Sequence, residues 1–255
     1  MLPFKSMANY YQNSIDLFPE GGTQSLEVRV GDHQAHYLKA GSGPPVVLLH
    51  GGASDSRDWL GTMAALSRSY SLYAPDLPGF GQGSIDNSGY YLSDFVEFAL
   101  GFVQAMRLDS LFLVGHSFGG RICLEIAFRN PKMVRRLVLI DTAGFSRLTR
   151  WGLFLGAAAW SVRKVLRRTQ PYPRFLKKDD EDKDWLCLEE LPTLNVPTLI
   201  VWNRRDPYYS VDGAIRAKEL IPQARLEVFQ GFGHSPHLQK RDVFNSLLLS
   251  FIDHD

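Results

Sequence analysis

Ser117 lies in the pentad Gly115-His116-Ser117-Phe118-Gly119. The apolar run Leu111 to Val114 precedes it, and Ile122, Cys123, Ile126 and Ala127 then recur on one helical face. A strand turning sharply into a helix at this point lifts the serine hydroxyl clear of the sheet, where it can attack a carbonyl. Gly115 and Gly119 lack a Cβ, so strand and helix can approach closely. The Phe118 amide, at the N-terminus of the expected helix, is placed to donate to a developing oxyanion. Serine is a weak nucleophile at its free pKa and needs a base, which in turn needs an orienting acid. His234, in Gly231-Phe232-Gly233-His234-Ser235-Pro236-His237, is the expected base. Asp206, in Asn203-Arg204-Arg205-Asp206-Pro207, is the expected acid. Both follow apolar runs, as Ser117 does, so all three are expected on loops at one edge of a sheet.

Other residues compete for these roles. Asp141 follows Leu137 to Ile140 and is a second carboxylate at the same edge. His237 is a rival base, expected on the first turn of the last helix. His50 ends the apolar run Val46 to Leu49, where a hydrogen-bonded structural imidazole is expected. The turn after it, Gly51-Gly52-Ala53, offers a second oxyanion amide from Gly52 or Ala53. Asp76 to Ser84 reads as a turn shaped by proline and glycine, with Asp76 bonding local amides. It is no phosphate loop, because no Gly-Lys-Ser/Thr follows. Cys123 and Cys187 cannot build a disulfide framework and lack metal-ligand spacing; Cys123 reads as a small core residue.

The elements that must position these residues alternate along the chain. Leu26 to Val30 and His33 to Ala40 read as two strands about a tight turn at Gly31-Asp32. Apolar runs recur at Val46 to Leu49, Leu111 to Val114, Leu137 to Ile140, Thr198 to Trp202 and, more weakly, Leu226 to Phe229; Ser71 to Ala74 is also strand-like. Continuous apolar runs suit strands covered on both faces, as in a parallel sheet. Helix-like stretches lie at about 57–67, 91–107, 117–130, 210–221 and 237–253, and a further short helix is expected within 1–24. Alternation of strand and helix points to a three-layer α/β fold.

Phe145 to Glu190 breaks that rhythm. Trp151 to Trp160 is almost purely apolar, residues 147–178 hold nine Lys/Arg and no Asp or Glu, and 179–190 hold seven Asp/Glu. A helical cap over 145–190 is expected, inserted into a core of 1–144 and 191–255. Such an insert follows a strand's C-terminal end, where open α/β sheets bind ligands. Trp151, Phe154 and Trp160 are its candidate substrate-binding residues, and Trp59 and Phe118 would add apolar surface.

With 255 residues, 45% hydrophobic and 22% charged, the composition suits a soluble globular chain. A net charge of +1 supplies no field for nucleic acid, and no partner of that kind is expected. No apolar run is long enough to span a membrane. Met1 to Glu20 lacks the basic and apolar regions of a secretory signal, so a cytoplasmic protein is the expectation. Arg163, Lys164, Arg167 and Arg168 follow the apolar stretch, which allows contact of the cap with a membrane surface; a solvated cap face is the plainer expectation.

His50-Gly51-Gly52, Asp76 to Gly81, Gly115 to Gly119, Asp206 and Gly231 to His234 together resemble the capped α/β-hydrolase superfamily, over roughly residues 26–254. Five blocks in order carry the resemblance, including the chain order serine, aspartate, histidine. It implies an eight-stranded, mostly parallel sheet with the second strand antiparallel, a cap between strands six and seven, and hydrolysis without metal or organic cofactor. Relatives that displace halide or open epoxides carry aspartate at the elbow, so Ser117 disfavours those reactions. The expected substrate is a small hydrophobic or aromatic carboxylic ester, cleaved through an acyl-enzyme. C–C bond hydrolases and thioesterases keep the same three residues, and a ligand receptor with little turnover is the alternative of a different class.

Overall fold

Alternate residues of the apolar runs face opposite sides of one sheet. The computed structural model describes residues 22–52, 54–83, 91–165 and 186–253. Among them are eight strands: β1 (Gln24–Val30), β2 (His33–Ala40), β3 (Pro45–Leu49), β4 (Ser71–Pro75), β5 (Leu111–His116), β6 (Val134–Ile140), β7 (Thr198–Arg205) and β8 (Ala224–Phe232). They form one sheet in the order β1-β2-β4-β3-β5-β6-β7-β8. β2 runs antiparallel to β1 and β4; every other pairing is parallel.

Because successive side chains point to opposite faces, β3 sends Val47 and Leu49 to one core and Val46 and Leu48 to the other. β5 does the same with Leu111 and Leu113 against Phe112 and Val114. Both faces are covered, which is why these strands read as continuous apolar runs.

The helices supply the cover. A 3₁₀ turn (Ser56–Trp59) leads into α1 (Leu60–Leu66); then come α2 (Leu92–Ala105), α3 (Phe118–Arg129), α4 (Arg150–Val165), α5 (Val211–Leu220), α6 (Pro236–Gln239) and α7 (Arg241–Ile252). α2 buries Leu92, Phe95, Val96, Ala99, Phe102 and Val103, a stripe at helical spacing, and packs with α3 on one face. The Asp94 carboxylate accepts the Tyr91 amide at 2.7 Å and fixes the start of α2. On the other face α1 contributes Met63 and Leu66, and α7 contributes Phe244, Leu248 and Ile252 at a four-residue spacing.

Two expected helices are divided. The stretch at 57–67 begins as a 3₁₀ turn, where Asp55 accepts the Arg57 amide at 3.0 Å. The stretch at 237–253 breaks at Lys240, whose φ of −130° leaves the helical region. Gln239 accounts for the bend. Its amide nitrogen donates to the Phe232 carbonyl at 3.1 Å and its oxygen accepts from Asn203 at 2.8 Å, tying α6 to β7 and β8. The helix expected near the N-terminus falls in residues 1–21, outside the described residues.

Between β6 and β7 the described chain contains α4. The Cys187 amide donates to the Gly144 carbonyl at 3.1 Å, so the chain returns beside the point where it left. Residues 166–185, which include Arg167 and Arg168, lie outside the described residues. Among the described residues no helix is long and apolar enough to cross a membrane.

Asp76 does more than shape its own turn. Its buried carboxylate accepts from the local Gln82 amide at 2.8 Å, from the Ser56 amide at 2.7 Å, and from His36 Nδ1 at 2.8 Å. It thereby joins the loop after β4 to β2 and to the 3₁₀ turn. Asp76→Ala strands three donors, two of them buried, and is expected to cost about 3 kcal/mol of unfolding free energy, read as a lower urea midpoint.

Candidate active site

Five loops at the C-terminal ends of parallel strands meet at one edge of the sheet, beside the point where strand order reverses. β5 ends in Ser117, β6 in Asp141, β7 in the loop holding Asp206, β8 in the loop holding His234, and β3 in Gly51-Gly52. The sheet therefore brings together, from distant parts of the chain, the residues singled out for their chemistry.

Ser117 adopts φ 51° and ψ −112°, a region that non-glycine residues rarely enter. The chain leaves β5 and enters α3 within that one residue. Packing holds it there. The Ser117 amide donates to Ile140 at 2.8 Å, and its carbonyl accepts from Ala143 at 3.1 Å and Arg121 at 3.2 Å. The turn also brings α3 hard against β3: a Cβ on Gly119 would lie 2.4 Å from the Leu49 carbonyl oxygen and 2.5 Å from that of His50. Ile122, Cys123, Ile126 and Ala127 are buried, as the periodicity of α3 requires.

His234 Nε2 lies 2.8 Å from Ser117 Oγ, and His234 Nδ1 lies 2.8 Å from Asp206 Oδ2. A carboxylate only accepts, so Nδ1 carries the hydrogen and Nε2 presents its lone pair to the serine. The Asp206 side chain is fully buried, while the His234 side chain keeps 17% exposure. The Tyr208 amide donates to Asp206 Oδ1 at 2.7 Å and fixes the second carboxylate oxygen.

Phe118 opens α3 and places its amide at the positive end of the helix dipole. Its ring is buried in the core and meets Phe95 edge-on at 4.8 Å. Gly52 faces Phe118, with an ideal Cβ position 4.0 Å from the Phe118 Cβ. Ala53 lies outside the described residues.

The apolar candidates separate. Trp59 is fully buried and packs on His237 at a ring separation of 4.8 Å, because the 3₁₀ turn directs it into the core instead of the opening. Trp151 and Phe154 meet edge-to-face at 5.4 Å on the outside of α4, where they are 66% and 61% exposed. Trp160 lies on α4, and its side chain is outside the described residues. Beside His234 lie the rings of Tyr208 at 4.7 Å, His116 at 5.0 Å and Tyr209 at 5.7 Å; the two tyrosines were not among the apolar candidates. Sequence reasoning missed both; their place two and three residues after Asp206 was the available signal.

His50 holds a structural position: Nδ1 donates to the Gly51 carbonyl at 2.8 Å and Nε2 accepts from the Leu77 amide at 3.0 Å. His116, also missed, donates from Nε2 to the His234 carbonyl at 2.5 Å and so anchors the loop of His234 to the elbow. His237 belongs to α6 and is buried beneath the site, 4.6 Å ring to ring from His116.

Two groups of described residues bring one ligand atom each to within 4.8 Å of one another: Asp58, His116 and His237, and Asp141, Asp206 and His234. In the second, His234 Nδ1 is committed to Asp206. Beside the first stands Arg241, close enough for its charge to depress His237. That neighbouring cation opposes a metal ion, and we assign none.

Residues 44–170 match the family model of the α/β hydrolase fold. A 2-hydroxy-6-oxo-2,4-heptadienoate hydrolase of Pseudomonas putida is 28% identical, across 88% of this chain and 95% of that protein. Carboxylesterase YbfK of Bacillus subtilis is 25% identical, across 95% of this chain and 92% of that protein. Its crystal structure superposes with a TM-score of 0.82 at 23% identity, covering 97% of each chain. A meta-cleavage product hydrolase of Pseudomonas fluorescens superposes with a TM-score of 0.74 at 27% identity, covering 89% of this chain and 97% of that one. The chain belongs to the α/β-hydrolase fold family and is a hydrolase.

Burial, with the charges of His234 and Arg241, pushes His237 down to about 3 from 6.5. Burial also holds His116 well below its ordinary value, helped by His237 and His234. Both rings are neutral in the folded protein where the unfolded chain would already be protonated. Unfolding therefore takes up protons, and stability falls as pH drops from about 6.5 toward about 3; above 6.5 the full contribution is present. His237 contributes a slope of up to about 1.4 kcal/mol per pH unit within that window, and His116 acts in the same direction. His237→Leu is expected to remove about one proton of that uptake, measured from urea unfolding free energies across the acid range.

Proposed function

We propose that this chain hydrolyses carboxylic esters of hydrophobic acyl or aromatic groups through a covalent acyl-enzyme, with Ser117, His234 and Asp206 as the catalytic triad. The observation that carries the reading is the continuous link from Ser117 Oγ through the His234 ring to Asp206, with both hydrogen bonds at 2.8 Å. His234 Nε2 takes the Ser117 proton as Oγ attacks the ester carbonyl. The tetrahedral oxyanion is held by the Phe118 amide together with that of Gly52 or Ala53. When the intermediate collapses, Nε2 gives its proton to the departing alkoxide, and an alcohol leaves. Water then attacks the acyl-enzyme by the same steps in reverse roles, releasing the acid and restoring Ser117. Asp206 keeps the tautomer that leaves Nε2 lone-paired, and its charge stabilises the imidazolium. No step calls for a metal or organic cofactor.

Residues 145–190 act in this reading as a cap. α4 starts beside the acid loop: the Thr149 amide donates to the Tyr208 carbonyl at 2.8 Å, and Thr149 Oγ1 donates to the Pro207 carbonyl. Tyr208 and Tyr209, beside His234, are the apolar surface offered to the substrate, and Trp151 and Phe154 add exposed rings on that helix. The similarity to carboxylesterase YbfK supports the ester reading. A second reading is cleavage of a C–C bond beside a ketone by the same triad, favoured by similarity to a hydrolase whose named substrate carries an oxo group.

Steady-state assays on p-nitrophenyl esters of graded chain length, with a vinylogous diketone and a thioester alongside, separate these readings. Ester turnover is expected to dominate. Ser117→Ala is expected to lower it by at least about a thousandfold with the fold intact by circular dichroism. Wild-type rates in that variant would refute the assignment; diketone turnover far above ester turnover would favour the second reading. A product burst followed by a stable adduct would instead mark a ligand receptor.

A further inference from the structure

Asp141 takes no part in the mechanism above, yet it stands beside the catalytic base. It follows β6 directly, at φ 41°. Aspartate tolerates that left-handed conformation better than most residues, but a non-glycine residue there is strained. Its side chain is fully buried. Oδ1 accepts the Asn203 amide at 2.8 Å. Among the described residues Oδ2 has no hydrogen-bond partner, and it lies 3.9 Å from His234 Nδ1. This is the nitrogen that donates to Asp206.

A purely structural role explains only half of this. A tether for the Asn203 amide needs one acceptor oxygen, which an asparagine would supply without burying a second carboxylate beside Asp206. Placing Oδ2 unpartnered in the interior is costly, and the cost falls at the spot facing the base. Burial, and the Asp206 charge next to it, hold the Asp141 carboxyl well above the usual carboxylate range. An ionised Asp206 disfavours a second charge on Asp141 beside it. Once Asp206 is neutralised that repulsion disappears, and an approach of about 1 Å brings Oδ2 within hydrogen-bond reach of Nδ1.

We propose that Asp141 is a second orienting acid for His234, a positioning residue that takes the Nδ1 hydrogen when Asp206 cannot. The inference rests on the proposed role of His234 as the base. Its test is a double-mutant cycle on the best ester of the panel, using Asp206→Asn, Asp141→Asn and both together. Asparagine at 141 retains an acceptor for the Asn203 amide, and thermal melts confirm folding. Asp206→Asn is expected to lose about a hundredfold in kcat/KM, short of the roughly ten-thousandfold loss of a triad left without its acid. The double variant should complete that loss. Asp141→Asn should therefore cost far more in the Asp206→Asn background than in the intact protein, whereas a structural role would cost the same in both. Equal costs, or an Asp206→Asn variant already as slow as the double, would overturn the proposal.

A second measurement needs no change at Asp141. The downfield proton resonance of the His234 Nδ1 hydrogen should persist in Asp206→Asn, and its loss would overturn the proposal even if Asp141→Asn failed to fold. Activity retained by Ser117→Ala would refute the triad itself, and that outcome is separate from both results.

Discussion

One imidazole ring joins three crossovers of the chain. Ser117 and His234 are 117 residues apart in sequence, and His234 and Asp206 are 28 apart, yet both pairs meet at 2.8 Å. Neither bond tolerates displacement of its loop by more than a fraction of an ångström. The sheet meets that demand by ending β5, β7 and β8 at one edge, and the elbow meets it by holding Ser117 at a positive φ. Strain at that residue is sustained because the residues around it are fixed: Gly119 lies against β3, and the Ser117 carbonyl is bonded from two sides.

The fold was legible because its strands carry the signal of double burial. Val46 to Leu49 and Leu111 to Val114 contain no polar residue, and both faces of the sheet they enter are covered. The elbow was legible because few local geometries ask for glycine two residues either side of a serine. The two helix breaks were not, since Lys240 is unremarkable in sequence and the bend arises from Gln239 bonding to β7 and β8. The same limit applies to the flanks of the site. Tyr208 and Tyr209 reach His234 only because the acid loop folds back over it. Trp59, an apolar candidate by composition, is carried into the core by the 3₁₀ turn. Composition identifies residues able to line a pocket, and the direction of each side chain depends on contacts that local sequence does not encode.

Histidines fill the space beneath the site. His116 anchors the carbonyl of His234, His237 packs under His116, and Trp59 closes the stack from below. Burial keeps both supporting rings neutral, so they add polarity without adding charge next to the base. Asp206 is then the carboxyl group bonded to the His234 ring.

Thr149 fastens the root of α4 to the backbone of Pro207 and Tyr208. Tyr208 in turn donates its amide to Asp206. Two backbone carbonyls therefore couple the start of α4 mechanically to the amide that fixes Asp206 Oδ1, so a shift of that helix is transmitted to the partner of His234.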